Sequence, residues 1–290
     1  MSSKSVPGLS EQALGAMQLN DTSRLCVHSI TTKPWSIELA IEQYAKAGVQ
    51  GITVWRDTLE GRSISAVGRQ IKEAGLQVVS LCRGGFFAST EKSKRAAALE
   101  DNLRAVEVTA ELRAPSIVLV PGADPRQSLE DSRAQIEEGI VKMNEAAEAA
   151  GVKLSIEPLH PMYADTRSAV NSLGQANDMC ERIGSANVGV AVDVYHLWWD
   201  PELQREIARS GEGGRIFAFH VCDWRSPTRD LLYDRALMGE GCIPVRQIRG
   251  WVEQAGFSGF IEVEIFSTYY WTMDQNRFLD MILDAYKTHT

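Results

Sequence analysis

Four short apolar runs of this 290-residue chain each finish on a side chain that can hold a cation or move a proton. Glu157 lies in "VKLSIEP" (152–158), Asp193 in "VGVAVDV" (188–194), His220 in "IFAFHVC" (216–222) and Glu264 in "FIEVEIF" (260–266). Side chains alternate across a strand, so parity gives their direction. Val188, Val190 and Val192 share one face, which leaves Gly189, Ala191 and Asp193 on the other. Phe217 and Phe219 oppose His220, Ile156 opposes Glu157, and Ile261 and Val263 oppose Glu262 and Glu264. The apolar faces need cover, so the polar ones point the same way. Three converging carboxylates raise one another's pKa values unless a cation lies among them. One divalent metal ion is the simplest neutralising agent, with Glu157, Asp193, His220 and Glu264 as its expected ligands. Three carboxylate oxygens and an imidazole suit Mn²⁺, Mg²⁺ or Co²⁺ better than a thiolate-seeking ion, with Zn²⁺ also possible. Solvated polar groups at one end of a sheet would give a similar pattern, but all four residues fall on the inward parity independently.

Of five histidines, His28, His160, His196 and His220 follow such runs, and only His289 does not. His160 stands three residues after Glu157, and His196 three after Asp193. That placement suits substrate binding or proton transfer, with His160 the expected acid/base partner of Glu157 and Glu264. Trp55, Trp198, Trp199, Trp224 and Trp271 gather at the same ends. Rings of this kind stack on sugar C–H faces, so His28, Trp55, His196 and Trp224 are expected to contact substrate. Arg56, Arg83 and Arg225 are candidate anchors for hydroxyl or carboxylate oxygens, and equally candidates for loop salt bridges. Asp223 is a candidate partner for an imidazole or a loop cap. The "GEG" and "FSTYYW" segments do not form a glycine-rich phosphate cup, which favours an unphosphorylated substrate.

The elements that must position these residues are eight β-rich runs, the others being 24–30, 50–55, 76–82 and 114–120. Amphipathic helical stretches separate them. "WSIELAIEQYAKAG" starts at Ser36 as N-cap and stops at Gly48; "DPELQREIARSG" starts at Asp200–Pro201 and stops at Gly211. Alternation of this kind predicts an α/β fold, a (β/α)8 TIM barrel in a single domain over 24–290, preceded by an N-terminal extension, 1–23. An open doubly wound sheet would need a glycine-rich phosphate turn, and no GxGxxG or GxxxxGK occurs. A formal charge of −8 without a basic cluster argues against nucleic acid or an anionic membrane as partner. No apolar run is long enough to cross a bilayer. Five cysteines without a CxxC pair read as reduced thiols, which points to the cytoplasm.

"GITVWRD", "SLCRGGFF", "SIEPLHPMY", "VDVYHLWWD", "FHVCDW" and "GFIEVEIF" resemble the xylose-isomerase-like barrel superfamily, over roughly residues 24 to 287. The nearest group is that of sugar phosphate isomerases/epimerases, with ketose 3-epimerases and inosose dehydratases. The resemblance implies that Glu157, Asp193, His220 and Glu264 bind a divalent metal, commonly Mn²⁺, and that the two glutamates exchange substrate protons. His196 matches a substrate-contacting histidine of the ketose 3-epimerases. The chain departs from that pattern at Tyr163, where those enzymes have a second glutamate, and at Ser226, where they have an arginine.

Together these readings predict a metal-dependent isomerase or epimerase acting on a keto sugar or polyol through an enediolate. A metal-dependent lyase of keto sugars, inososes or 3-keto-glycosides is the first alternative, with His160 or His196 as acid. A non-catalytic sugar-binding or partner subunit is the second. The expected partner is a small sugar, and a homo-oligomer is compatible with the sequence. Free thiols generate a direct expectation: adding reductant leaves the melting temperature unchanged, whereas a disulfide in the native protein contradicts the cytoplasmic assignment.

Overall fold

The structure, a computed structural model, describes residues 21–290, so most of the expected N-terminal extension lies outside the described residues. Eight parallel strands close a barrel: β1 (Leu25–His28), β2 (Gly51–Trp55), β3 (Gln77–Gly85), β4 (Ser116–Val120), β5 (Lys153–Ile156), β6 (Val188–Asp193), β7 (Ile216–Val221) and β10 (Ile261–Val263). The main helices around it are α1 (Ile37–Lys46), α2 (Ile64–Glu73), α3 (Lys92–Leu112), α4 (Leu129–Ala150), α5 (Leu173–Ile183), α7 (Leu203–Glu212), α8 (Val245–Gln254) and α10 (Gln275–His289). Two single turns, α6 (Val194–Leu197) and α9 (Thr268–Trp271), follow β6 and β10. The expected (β/α)8 barrel is therefore present. No helix among the described residues is long and apolar enough to cross a membrane.

The outward apolar residues, including Val188, Val190, Val192, Phe219, Ile261 and Val263, join the helices in one continuous core. Inside the barrel a separate small cluster holds Cys82, Val118, Ala191 and Ala218. Thr53, Ser80 and Ser155 are buried beside it. Barrels of this type usually fill that space with bulky branched side chains. Small residues here leave room for imidazoles and carboxylates. All five cysteines are free, and only Cys242 is exposed.

Helix ends follow the sequence signals in part. Ser36 caps α1 by accepting the Leu39 N–H at 3.3 Å, and Gly48 leaves the helix with φ +78°. Asp200 does not begin α7. It accepts the Glu202 N–H at 2.9 Å in a preceding turn, and the helix starts at Leu203. Nor does Gly211 end it: α7 runs to Glu212, and a Cβ at Gly211 would meet the Ala255 carbonyl oxygen at 2.3 Å. That glycine serves close helix approach rather than termination.

Two features shape the barrel mouth beyond expectation. β3 continues three residues past its predicted end, through Arg83, Gly84 and Gly85. Gly85 has φ +109°, and a Cβ there would lie 1.8 Å from the Val120 carbonyl oxygen, so only glycine lets β3 approach β4 this closely. After β7 the chain forms an antiparallel pair, β8 (Asp223–Trp224) with β9 (Arg235–Ala236). Asp223 organises this excursion by accepting backbone N–H groups from Trp224, Gly239, Gly241 and Ile243. It is a loop organiser, and no imidazole partners it.

Candidate active site and metal centre

Strand register decides what meets at the mouth. Asp193 pairs with His220, and His220 pairs with Glu262, so three polar residues from β6, β7 and β10 lie in one layer. Glu157 follows β5 directly and Glu264 follows β10, each one step nearer the mouth. Potential donor atoms of Glu157, Asp193, His220 and Glu264 all lie within 4.8 Å of one another, and all four residues are buried. His220 Nδ1 is 2.9 Å from Glu157 Oε1. Its Nε2 has no hydrogen-bond partner and lies 3.8 Å from Glu262 Oε2.

Glu262, in the layer of Asp193 and His220, anchors a further set of polar contacts. Glu262 receives the Thr53 hydroxyl at 2.6 Å and lies 3.1 Å from His28 Nε2. His28 Nδ1 reaches Glu264 Oε1, also at 3.1 Å. Burial works against charging His28, yet the two glutamates raise its pKa to about 9. His220 follows the same logic: burial opposes its charge, and Glu262 and Glu157 bring it up to about 9. His28 was expected to contact substrate. The structure instead buries it completely, with both ring nitrogens engaged, as the floor beneath Glu264.

Arg235, on β9, is the residue that sequence reasoning missed. Its Nη1 lies 2.6 Å from Glu264 Oε2 and 3.2 Å from Asp193 Oδ2. Its Nη2 is 3.2 Å from His196 Nε2. The guanidinium stands over Tyr195 at 4.3 Å and Phe266 at 5.1 Å, and its Nε has no partner. The two carboxylates respond differently. Burial raises Glu264, but Arg235 and His28 outweigh it and hold the group well below the carboxylate range. For Asp193 burial dominates, and the Glu264 and Glu157 charges add to it, so its pKa rises despite Arg235. Burial and the Arg235 charge keep His196 neutral. No sequence signal marked Arg235, because it stands in a stretch without helical or strand periodicity, "LLYDRALMGEG".

Trp55, Arg83, His196 and Glu264 line a single cleft, together with Arg167 and Arg235. Glu157 lines it too, and the other predicted substrate contacts lie elsewhere. Arg56 is held bidentately by Asp101 at 2.7 and 2.9 Å. Arg225 pairs with Asp234 at 3.2 Å and Glu240 at 3.4 Å. Both long side chains find carboxylates closer than the cleft. Trp224 stacks on Tyr195 at 4.8 Å and forms wall behind the cleft. His160 is the clearest correction: its Nδ1 accepts the Met162 N–H at 3.2 Å, its ring packs between Trp199 and Trp224, and burial lowers its pKa. It caps a turn and does not face the carboxylates.

Comparisons with known proteins bear on the fold and the family. The family described as xylose isomerase-like TIM barrel matches residues 41–280. An inosose isomerase of Bacillus licheniformis is 26% identical over 192 residues, 65% of this chain and 67% of that protein. A crystal structure of a protein from Sinorhizobium meliloti 1021 superposes with a TM-score of 0.89 at 42% identity, covering 92% of this chain and 98% of that one. The IOLI protein, solved with a zinc atom, superposes at 0.80 with 19% identity over 91% of this chain and 96% of its own; at that identity it shows the fold alone.

The buried Arg235 pair sets an expectation for stability. Removing one partner of a buried pair leaves uncompensated charge, at a cost of about 3–5 kcal/mol. Arg235→Ala is expected to lose that much in urea unfolding at neutral pH. The deficit shrinks on acidification to pH 5, because the variant relieves its crowded carboxylates by binding protons that the arginine otherwise excludes. A loss independent of pH would mean that Arg235 contributes packing rather than charge.

Proposed function

The chain belongs to the xylose isomerase-like TIM barrel family, and we propose that it is a divalent-metal-dependent isomerase or epimerase of a keto sugar or related polyol. The observation that carries this reading is the convergence of Glu157, Asp193, His220 and Glu264 donor atoms within 4.8 Å, under a cleft that also holds the unpartnered Nε of Arg235. These residues fit a divalent cation. Three hard oxygens and one imidazole suit Mn²⁺ first, and the zinc atom named for a protein of the same fold keeps Zn²⁺ in the test. His220 would ligate through Nδ1, which faces Glu157, while its Nε2 lies 3.8 Å from Glu262 Oε2. Bound there, the metal would polarise a carbonyl and its neighbouring hydroxyl, acidifying the C–H bond between them.

The chain's own residues do the rest. Glu264, kept ionised by Arg235 and His28, is one carboxylate able to take the proton. Glu157, beside His220, is the other. Return of the proton to the adjacent carbon gives isomerisation; return to the opposite face of the same carbon gives epimerisation. Arg235 offers Nε to a substrate oxygen where negative charge develops. The relative named inosose isomerase supports this reaction class. Elimination needs an acid at the leaving group. His160 Nδ1 accepts a backbone N–H, and burial lowers the pKa of both His160 and His196, which weighs against either as a cationic acid and leaves elimination as an outcome of the test.

Two measurements test the proposal. The purified protein should bind one divalent ion, and Glu157→Gln, Asp193→Asn and Glu264→Gln should each weaken it at least about 100-fold. Affinity should rise with pH and level off above about 9, because the metal must displace the proton that His220 carries below that value, and the raised Asp193 adds a second displaced proton on the acid side. Binding that is insensitive to pH would place the metal elsewhere. In D₂O, ketohexoses and inososes should be screened by NMR with the Mn²⁺-loaded protein. Deuterium on an intact sugar is the expected result. An unsaturated ketone would identify a lyase, and no exchange with metal bound would favour a non-catalytic subunit.

A further inference from the structure

Three arginines line the cleft, and only one is committed. Arg235 holds Asp193 and Glu264. Arg83 and Arg167 have no carboxylate within ion-pair distance among the described residues. Their close side-chain contacts are rings, Arg83 over Phe86 at 4.4 Å and Arg167 over Tyr163 at 5.9 Å, and Arg83 also feels the charge of Glu157 across the cleft. Buried or half-buried arginines ordinarily find an acid, as Arg56 does next door with Asp101. Two like charges left together at a cleft, in a chain of net charge −8, need a reason outside the protein.

We propose that the substrate carries an anionic oxygen group, a carboxylate or a phosphate, and that Arg83 and Arg167 bind it on the wall of the cleft beside the metal centre. This deepens the keto-sugar reading above and rests on it.

Both side chains are presented from fixed backbone. Arg83 lies on the extension of β3 that Gly84 and Gly85 make possible, and its carbonyl accepts from Arg56 at 3.4 Å. The Arg167 carbonyl accepts the Gly122 N–H at 2.8 Å, and its own N–H donates to the Tyr163 carbonyl at 2.9 Å. The two guanidiniums sense each other. Burial lowers the pKa of Arg83, and the Arg167 charge lowers it further, a cost that an anion between them would remove. The third cation of the cleft, Arg235, is already paired with Asp193 and Glu264. Leu159, Leu232 and Phe266 are apolar, and the Tyr163 hydroxyl already donates to the Leu231 carbonyl at 2.6 Å. Planar guanidinium donors match carboxylate and phosphate oxygens alike, so the shared chemistry is what the geometry specifies.

Three ligands on one carbon frame test it. D-fructose, D-fructuronate and D-fructose 6-phosphate carry a hydroxymethyl, a carboxylate and a phosphate at the same end. Each is titrated into the Mn²⁺-loaded full chain while tryptophan fluorescence is followed, with Trp55 as the reporter in the cleft. At least one anionic ligand should bind about tenfold or more tightly than D-fructose. In Arg83→Gln/Arg167→Gln that ratio should fall to about one, with circular dichroism confirming the fold. Preference for the uronate or for the phosphate identifies the source. Equal binding of all three, or a preference that survives in the double variant, overturns the proposal. If none of the sugars binds, the keto-sugar reading fails separately, and sulfate and acetate then decide. A melting shift by either anion in the wild type and not in the double variant upholds the anion site; the same response in both removes it.

Discussion

Four carboxylates, Glu157, Asp193, Glu262 and Glu264, are buried within one barrel mouth, and the rest of the structure answers to their charge. A buried ion without compensation costs several kcal/mol, so no fold could hold four together unassisted. The protein supplies His28 between Glu262 and Glu264, His220 beside Glu157, and Arg235 between Asp193 and Glu264. Compensation remains incomplete around Asp193, whose carboxyl is pushed towards its neutral form. A cluster that must hold protons to stay neutral is one in which a divalent cation can take their place.

That demand reaches into the fold. Large side chains such as Leu or Ile inside the barrel would displace the imidazoles, and the interior is built mostly from small residues, among them Thr53, Ser80, Ser155, Ala191 and Ala218. Thr53 and Ser80 do more than save space, because their hydroxyls converge on Glu262. The β8–β9 pair exists in the same sense. A loop alone would hold Arg235 loosely, whereas the pair, pinned by Asp223 through four backbone N–H groups, delivers the guanidinium at a fixed depth. The Tyr195 and Phe266 rings then pack against it at 4.3 and 5.1 Å.

The barrel and its four convergent residues were legible because strand parity is a local property. Val188, Val190 and Val192 announce their helix-facing side, and Asp193 has only one other direction. Glu262 was legible as inward, and its role was not, since nothing local says that His28 and His220 flank it. Arg235 was invisible for a related reason: its position depends on a pairing between segments that carry no periodic pattern. His160 shows the opposite error. Spacing put it at the correct end of β5, but the backbone there turns at once into a short helix, and the ring is spent on capping it. Arg56 and Arg225 were ambiguous in principle, because a long flexible cation goes to the nearest acid and Asp101 and Asp234 belong to other segments.

The site therefore divides by commitment. On the floor nearly every polar atom has a partner: Glu262 takes Thr53, Ser80 and His28, and Glu264 takes His28 and Arg235. On the wall the Arg235 Nε and the guanidiniums of Arg83 and Arg167 have no acid of their own. Changes to the floor disturb the charge balance that keeps the barrel mouth folded. Changes at Arg83 and Arg167 touch none of those ion pairs, whereas Arg235 belongs to both parts of the site. Specificity in such a barrel can thus vary at Arg83 and Arg167 without touching the groups that move protons, and it is there that substrate selection has freedom to differ between relatives with the same floor.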